Sequence, residues 1–243
     1  MILEHAAFPS SQIKVHEGLS QGTAEWHDLR LGKITASIVK NLLTSTYKVS
    51  KDKKIKMLAY ALAAERITLR RTSTFESFDM ARGKEEEPIA RRLYSKDVQE
   101  VGFIENGILG FSPDGLMGDD GIIEIKCVQQ KFQVKVFAEN EIPRQHVLQI
   151  QTGLLVSGRQ WCDFIQYSNG MPLFVKRMQR DEEIIENIVT ASIEFEETIN
   201  SIIDDYFANS KNNIVAEWIE PPDPNAIPSM DFDDIFGELP ESK

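Results

Sequence analysis

The sequence predicts an α/β fold with a central mixed β-sheet flanked by helices, and three observations lead there. Apolar residues recur at helical spacing before residue 95 and again after residue 143. Between them, from Val98 to Val128, runs rich in Val, Ile and Phe are broken by Gly, Asn and Asp, as short strands are. Two further strand-like runs follow the helical stretch that begins at Arg144, so strands and helices alternate along the chain.

Taken in order, Thr35 is placed to cap a short helix whose apolar positions Ile38, Val39, Leu42 and Leu43 share one face. Asp52 stands likewise before a helix running through Leu58, Leu62 and Ile67. A third helix is expected over Ile89–Tyr94, starting at Pro88, where a missing N–H matters least. Val98–Glu105 and Ile108–Phe111 flank Asn106-Gly107, a hairpin signal. Leu116 to Gly121 reads as a turn leading into a strand over Ile122–Val128. Arg144–Val156 reads as helix. Trp161–Tyr167 and Leu173–Met178 read as strands joined through Ser168-Asn169-Gly170, and Asp181 to about Ala208 as a long helix. From Glu217 onward Pro, Asp and Glu dominate. The expected organisation is a folded unit over residues 1–209 and an acidic, Pro-containing flexible tail over 210–243.

At 243 residues the chain can bury a substantial core. No apolar run approaches the ~20 residues of a bilayer span, and Met1–Ser10 lack the basic start and apolar run of a signal peptide. Cys127 and Cys162 form neither a disulfide framework nor a metal-binding pair. A cytoplasmic, reducing setting without membrane contact is the expectation. The net charge of −11 is unevenly spread. Residues 181–243 hold 17 acidic and two basic residues, leaving 25 basic against 21 acidic over residues 1–180. A mildly basic body is compatible with a phosphate-bearing partner, so whole-chain acidity does not exclude nucleic acid.

The chemistry concentrates in Ser112-Pro113-Asp114-Gly115 and Glu124-Ile125-Lys126. In a strand, residues two apart share a face, so Glu124 and Lys126 project together while Ile123 and Ile125 point to the apolar side. Antiparallel pairing of the preceding arm would bring Asp114 beside Glu124. Two carboxylates and a backbone carbonyl such as that of Ile125 make a hard oxygen donor set suited to Mg²⁺ or Mn²⁺. A lysine beside them can orient water or offset charge growing on a phosphoryl group. The pattern is short, and charges alternating along an exposed strand produce it as well.

Four stretches in order carry more information. Trp26-His27-Asp28-Leu29-Arg30-Leu31-Gly32-Lys33-Ile34-Thr35-Ala36-Ser37 comes first, then Gly83-Lys84-Glu85-Glu86-Glu87-Pro88-Ile89-Ala90. The Ser-Pro-Asp-Gly and Glu-x-Lys pair follows, and Gln149-Ile150-Gln151 is last. Together they resemble the PD-(D/E)xK nuclease superfamily, and within it the lambda-exonuclease-like, YqaJ-type viral recombinases, over roughly residues 24–160. That resemblance implies a restriction-endonuclease-like core. It also implies a Mg²⁺-dependent 5′→3′ exonuclease on double-stranded DNA ends, releasing 5′ mononucleotides and leaving 3′ overhangs for a single-strand-annealing partner. Two Mg²⁺ ions, with Mn²⁺ as substitute, a homotrimer, and a phage or prophage origin in a bacterial host are implied with it.

By the same resemblance Glu87, with Glu85 and Glu86 as competitors, joins Asp114 and Glu124 around the metals. Lys126 matches the catalytic lysine, and Gln149 a glutamine near the active site that holds water or phosphate. Arg30 and Ser37 match positions that hold the terminal 5′-phosphate. An arginine fork and a serine in a first helical turn both suit an anion, and Ser112 adds a hydroxyl next to Asp114. Trp26 is read as a packing anchor and Gln151 as structural. His27 and His146 have no partners at metal-ligand spacing, and Cys127 is expected as a buried free thiol. The alternatives are a structure-specific or restriction-like endonuclease with the same metal site, and a non-catalytic DNA-end or partner-binding module.

Met230-Asp231-Phe232-Asp233-Asp234-Ile235-Phe236 resembles the acidic, aromatic tip through which single-stranded DNA-binding proteins recruit partners, although Gly237–Lys243 follow it. If it recruits, deleting residues 220–243 should abolish pull-down of an annealing or single-strand-binding protein. Unchanged pull-down leaves only a solubilising tail.

Overall fold

A computed structural model describes residues 8–50, 52–71 and 78–219, and the acidic–aromatic stretch from Met230 to Phe236 lies outside them. The expected mixed sheet is present, and a second mixed sheet stands beside it. The first sheet has the spatial order β1 (Lys14–His16), β3 (Phe103–Asn106), β4 (Leu109–Phe111), β2 (Ile34–Thr35). The second runs β5 (Gly115–Met117), β6 (Gly121–Cys127), β7 (Trp161–Tyr167), β8 (Phe174–Gln179). β6 pairs antiparallel with β5 and parallel with β7. A parallel neighbour needs a crossover, supplied here by α5 (Gln130–Glu139) and α6 (Arg144–Ser157).

Several elements differ from the sequence expectation, each for a local reason. The Asn106-Gly107 hairpin forms, with Gly107 at φ +59°. The single strand expected over Val98–Glu105 is divided between the sheets, because Gln99 bridges to Leu116 while only Phe103–Asn106 joins β4. The chain crosses at Gly102, where a Cβ would come within 2.3 Å of the Leu19 carbonyl oxygen. Leu116 belongs to β5 rather than to the turn, which is confined to the residues around Gly118 (φ +54°). Helix α2 is only Ala36–Val39, and Leu42 and Leu43 are buried beyond its end. Thr35 precedes it without a capping bond, since its hydroxyl pairs with Ser37 Oγ at 2.9 Å.

Asp52 caps α3 (Lys53–Thr68), accepting from Lys54 N at 2.9 Å. Helix α1 (Ala24–Arg30) is capped by Thr23. Helix α4 spans Phe78–Tyr94, so Pro88 sits inside it and not at its start. Helix α5 escapes a periodicity reading because only Gln133 and Val136 are buried and no apolar stripe develops. Helix α7 (Glu182–Ser210) begins at Asp181, which accepts from Glu183 N and Ile184 N. It is tied to α3 by the bidentate pair Arg66–Glu196, both contacts 2.7 Å. None of the described helices is long and apolar enough to cross a membrane.

The core has two parts, and β6 separates them. Ile122 belongs to the larger cluster with α6 and α7, which contains Ile150, Leu154, Ile188 and Phe195. Ile123 and Ile125 face the other way, against Ala90 of α4, Ile165 and Tyr167. This strict alternation leaves Glu124 on the face toward α6. Gly115 lets the two arms of the site-bearing hairpin close, since a Cβ there would lie 2.2 Å from Val98 Cγ1 and 3.0 Å from Ile123 Cδ1. Gly115→Ala is expected to destabilise the fold by about 1–3 kcal/mol, read as a lower urea midpoint. An unchanged midpoint would contradict so close an approach.

Candidate active site

The β5–β6 register sets Gly115 opposite Ile123, which carries Asp114, one residue before β5, alongside the middle of β6. There its Oδ2 accepts from Ile125 N at 2.6 Å. Glu124 is only 1% exposed, and a carboxylate so buried needs partners. Its Oε1 receives the Lys126 ammonium in a close ion pair and the Gln149 amide of α6 at 2.6 Å. Glu87 approaches from α4, its Oε1 held by Arg91 four residues on. Asp114, Glu124 and Lys126 are thus gathered on one hairpin, Gln149 reaches them from α6, and Glu87 comes from the helix on the other side.

These groups feel one another electrostatically. Burial, then Glu124 and Glu87, push the Asp114 carboxyl well above its ordinary range, against Lys126 and the Ile125 N–H. Burial also raises Glu87, with Glu124 and Glu100 adding to it and Arg91 and Lys126 opposing. Burial works against the charge on Lys126, but Glu124 and Asp114 outweigh it and hold the ammonium above its usual range. Among the described residues no three acidic, His or Cys side chains stand close enough to enclose a metal ion outright. The donor set still fits a divalent cation. Three carboxylates, two of them pushed toward protonation by burial first and by neighbouring acids second, are what a bound cation would relieve, and all offer hard oxygen.

Above this cluster opens a cleft of about 1220 Å³. Asp114 and Glu87 line it, and so do Trp26, Arg30 and Ser37. Arg30 lies over the Trp26 ring at 4.2 Å and donates to Ser112 Oγ at 2.7 Å. Trp26 Nε1 donates to the same oxygen at 3.0 Å and to the Gly102 carbonyl at 3.0 Å. Trp26 is therefore an anchor, as its segment suggested. Burial and the nearby Arg71 bring the Arg30 guanidinium down to about 10, against the pull of Glu65. It remains a cation at neutral pH.

Other residues sit as follows. Gln151 is buried and holds the entry to α7, donating to the Gln179 carbonyl and accepting from Asp181 N. His146 stacks on Phe164 at 5.4 Å, and burial, then Lys126 and Lys40, lower it to about 3. His27 packs against Trp26 and Arg71. Cys127 is half-buried rather than enclosed, because β6 ends there, while Cys162 is buried. Arg91, Lys33 and Arg71 also line the cleft and were not singled out from the sequence. Arg91 had one available signal, its i,i+4 spacing from Glu87.

Similarity to known proteins bears on this geometry. Residues 25–160, more than half of the chain, match the YqaJ-like viral recombinase domain. The chain belongs to the YqaJ-like viral recombinase family. The crystal structure of an alkaline exonuclease from Laribacter hongkongensis superposes on it with a TM-score of 0.70 and 32% identity, covering 78% of this chain and 98% of that one. The same holds for that enzyme in complex with dAMP, again with a TM-score of 0.70 and 32% identity over 78% and 98% of the two chains. A phage-related exonuclease from Haemophilus somnus 129PT superposes with a TM-score of 0.54 at 14% identity, over 71% and 96% of the chains, a likeness of fold alone. A comparison with curated proteins gives no significant match. This YqaJ-like protein is a nuclease enzyme of the restriction-endonuclease-like fold.

The raised Asp114 carboxyl carries a stability consequence for the metal-free protein. Its folded value lies above its unfolded one, so the folded state binds the proton more tightly and loses stability as pH rises from about 4 through the folded value. Asp114→Asn is expected to flatten that decline and raise the melting temperature in chelator at pH 8. A melting temperature that falls instead would refute the crowding of acids.

Proposed function

We propose that this YqaJ-like nuclease is a Mg²⁺-dependent 5′→3′ exonuclease on double-stranded DNA ends that releases 5′ mononucleotides. The observation that carries the reading is one cleft lined both by Asp114 and Glu87 and by Arg30, which is bonded to Ser112. A hydroxyl oxygen has two acceptor sites. On Ser112 both are taken, by Arg30 and Trp26. Its own O–H is left to donate, and a terminal phosphate oxygen is a fitting acceptor. Arg30 supplies charge and a planar fork, and Ser37 on the cleft wall supplies a second hydroxyl. A pocket for an end group favours an exonuclease over an endonuclease.

Glu87, Asp114, Glu124 and the Ile125 carbonyl would hold two Mg²⁺, with Mn²⁺ able to replace them. Bound there, the ions would activate water and neutralise the leaving oxygen. Gln149 fixes the rotamer of Glu124 from α6. Lys126 keeps its ammonium charged at working pH, donating to Glu124 and to an incoming water or phosphate oxygen. Arg30 and Ser112 hold the chain end so that the next phosphodiester lies over the acids.

In this reading the nuclease unit covers residues 1–209, followed by an acidic segment over 210–243. The 3′ overhang it leaves serves a single-strand-annealing protein in phage-type recombination within the bacterial cytoplasm. A homotrimer around the duplex and contact with a single-stranded DNA-binding protein belong to the same reading.

Digestion of end-labelled duplexes tests it. Wild type with Mg²⁺ should release labelled 5′ mononucleotides and attack 5′-hydroxyl ends more slowly, by at least about tenfold for the loss of a charge-assisted phosphate contact. Arg30→Ala should remove that preference, and Lys126→Ala should abolish release from both ends. Rapid cutting of closed circular DNA would instead establish an endonuclease.

A further inference from the structure

The chemistry above leaves Arg91 without a part. It stands on α4 one turn beyond Glu87, with only 12% of its side chain exposed. Its guanidinium meets three acceptors. Nη2 binds Glu87 Oε1, Nε donates to the Asp114 carbonyl oxygen at 2.8 Å, and Nη1 lies 2.7 Å from Glu100 Oε2. Glu100 is 72% exposed, so its share of the binding is small. The other two contacts are part-buried. They join the acid of the helix to the backbone of the acid on the hairpin through one planar group.

The local backbone gives this tie its importance. Pro88 follows Glu87 inside α4 and has no N–H to give the Lys84 carbonyl. The helix therefore lacks a rung in the turn that presents Glu87. The Glu87–Arg91 pair spans that weakened turn at i,i+4, where side chains on a helix meet. A lysine at 91 would keep the charge and lose the span, because an ammonium is a point donor and the guanidinium a rigid fork.

We propose that Arg91 is a positioning residue that sets the separation of Glu87 from Asp114, and through it the metal affinity of the site. The proposal rests on the reading of these acids as metal ligands. Arg91 lines the cleft, but its fork is taken up by Glu87, the Asp114 carbonyl and Glu100, and it acts by holding Glu87 against the hairpin.

The test is Mn²⁺ binding, followed by calorimetry and by the electron spin resonance of the free ion, in wild type, Arg91→Lys, Glu87→Gln and the double variant. Arg91→Lys should weaken Mn²⁺ binding by about tenfold or more, as loss of a group supporting a ligand does. In the Glu87→Gln background the same change should alter affinity by less than about twofold, because its effect passes through Glu87. On duplex ends the lysine variant should lose kcat with KM nearly unchanged. Equal weakening in both backgrounds, or none in wild type, overturns the proposal while leaving the metal site standing. Wild-type affinity in Glu87→Gln and Asp114→Asn alike overturns the metal-ligand reading itself. Circular dichroism melting checks that each variant folds, and Arg91→Gln replaces the lysine variant in the cycle should that one not fold.

Discussion

A single buried carboxylate governs the architecture around the site. Glu124 sits in the middle of β6 with 1% of its surface exposed, flanked along the strand by Ile123 and Ile125. Left alone there, its charge would cost several kcal/mol. The fold supplies Lys126 two residues on and Gln149 from α6, both on the same oxygen. Those partners require β6 to alternate without a bulge and α6 to pack close against it. The parallel crossover from β6 to β7 brings α6 to that position. Position, compensation and topology are one constraint seen at three scales.

The first sheet extends the site into a cleft. β4 ends at Phe111, and the chain passes through Ser112 and Pro113 to Asp114 before entering β5. Three residues therefore link the Arg30–Trp26 corner to the acid cluster. This short connection fixes the distance between the Arg30–Trp26 corner and the carboxylates more rigidly than a long loop would. Arg30 is held from two sides, by stacking on Trp26 and by its bond to Ser112, so little rotamer freedom is left to it.

Opposed charges shape the remainder. Beyond burial, Asp114 is crowded by Glu124 and Glu87, and Glu87 by Glu124 and Glu100, while Lys126 opposes both and Arg91 opposes the second. Acids gathered this closely repel one another, so the arrangement costs the fold stability. The Arg66–Glu196 pair between α3 and α7 and the Asp163–Arg177–Tyr94 network on β7 anchor the outer layers away from that strain.

Much of this architecture is legible in periodicity and short motifs alone. The mixed sheet, the Asn106-Gly107 hairpin, α6, β7 and the long α7 follow from residue patterns that are satisfied locally. Glu124 and Lys126 on one face of a strand follow from a period of two. Local pattern fails where burial is partial or where the chain changes sheet. Helix α5 buries only two side chains, the run from Val98 serves both sheets, and α4 continues through Pro88 because its apolar face is held by Ile123 and Ile125. By itself the sequence determined which residues can bear the chemistry and which strand face they share, since both depend on neighbours in the chain. Only the tertiary structure decided that Gln149 binds Glu124, that Ser112 is left as a donor, and that Arg91 joins Glu87 to Asp114. Those contacts link residues from different elements, and no periodicity encodes a distance across a fold.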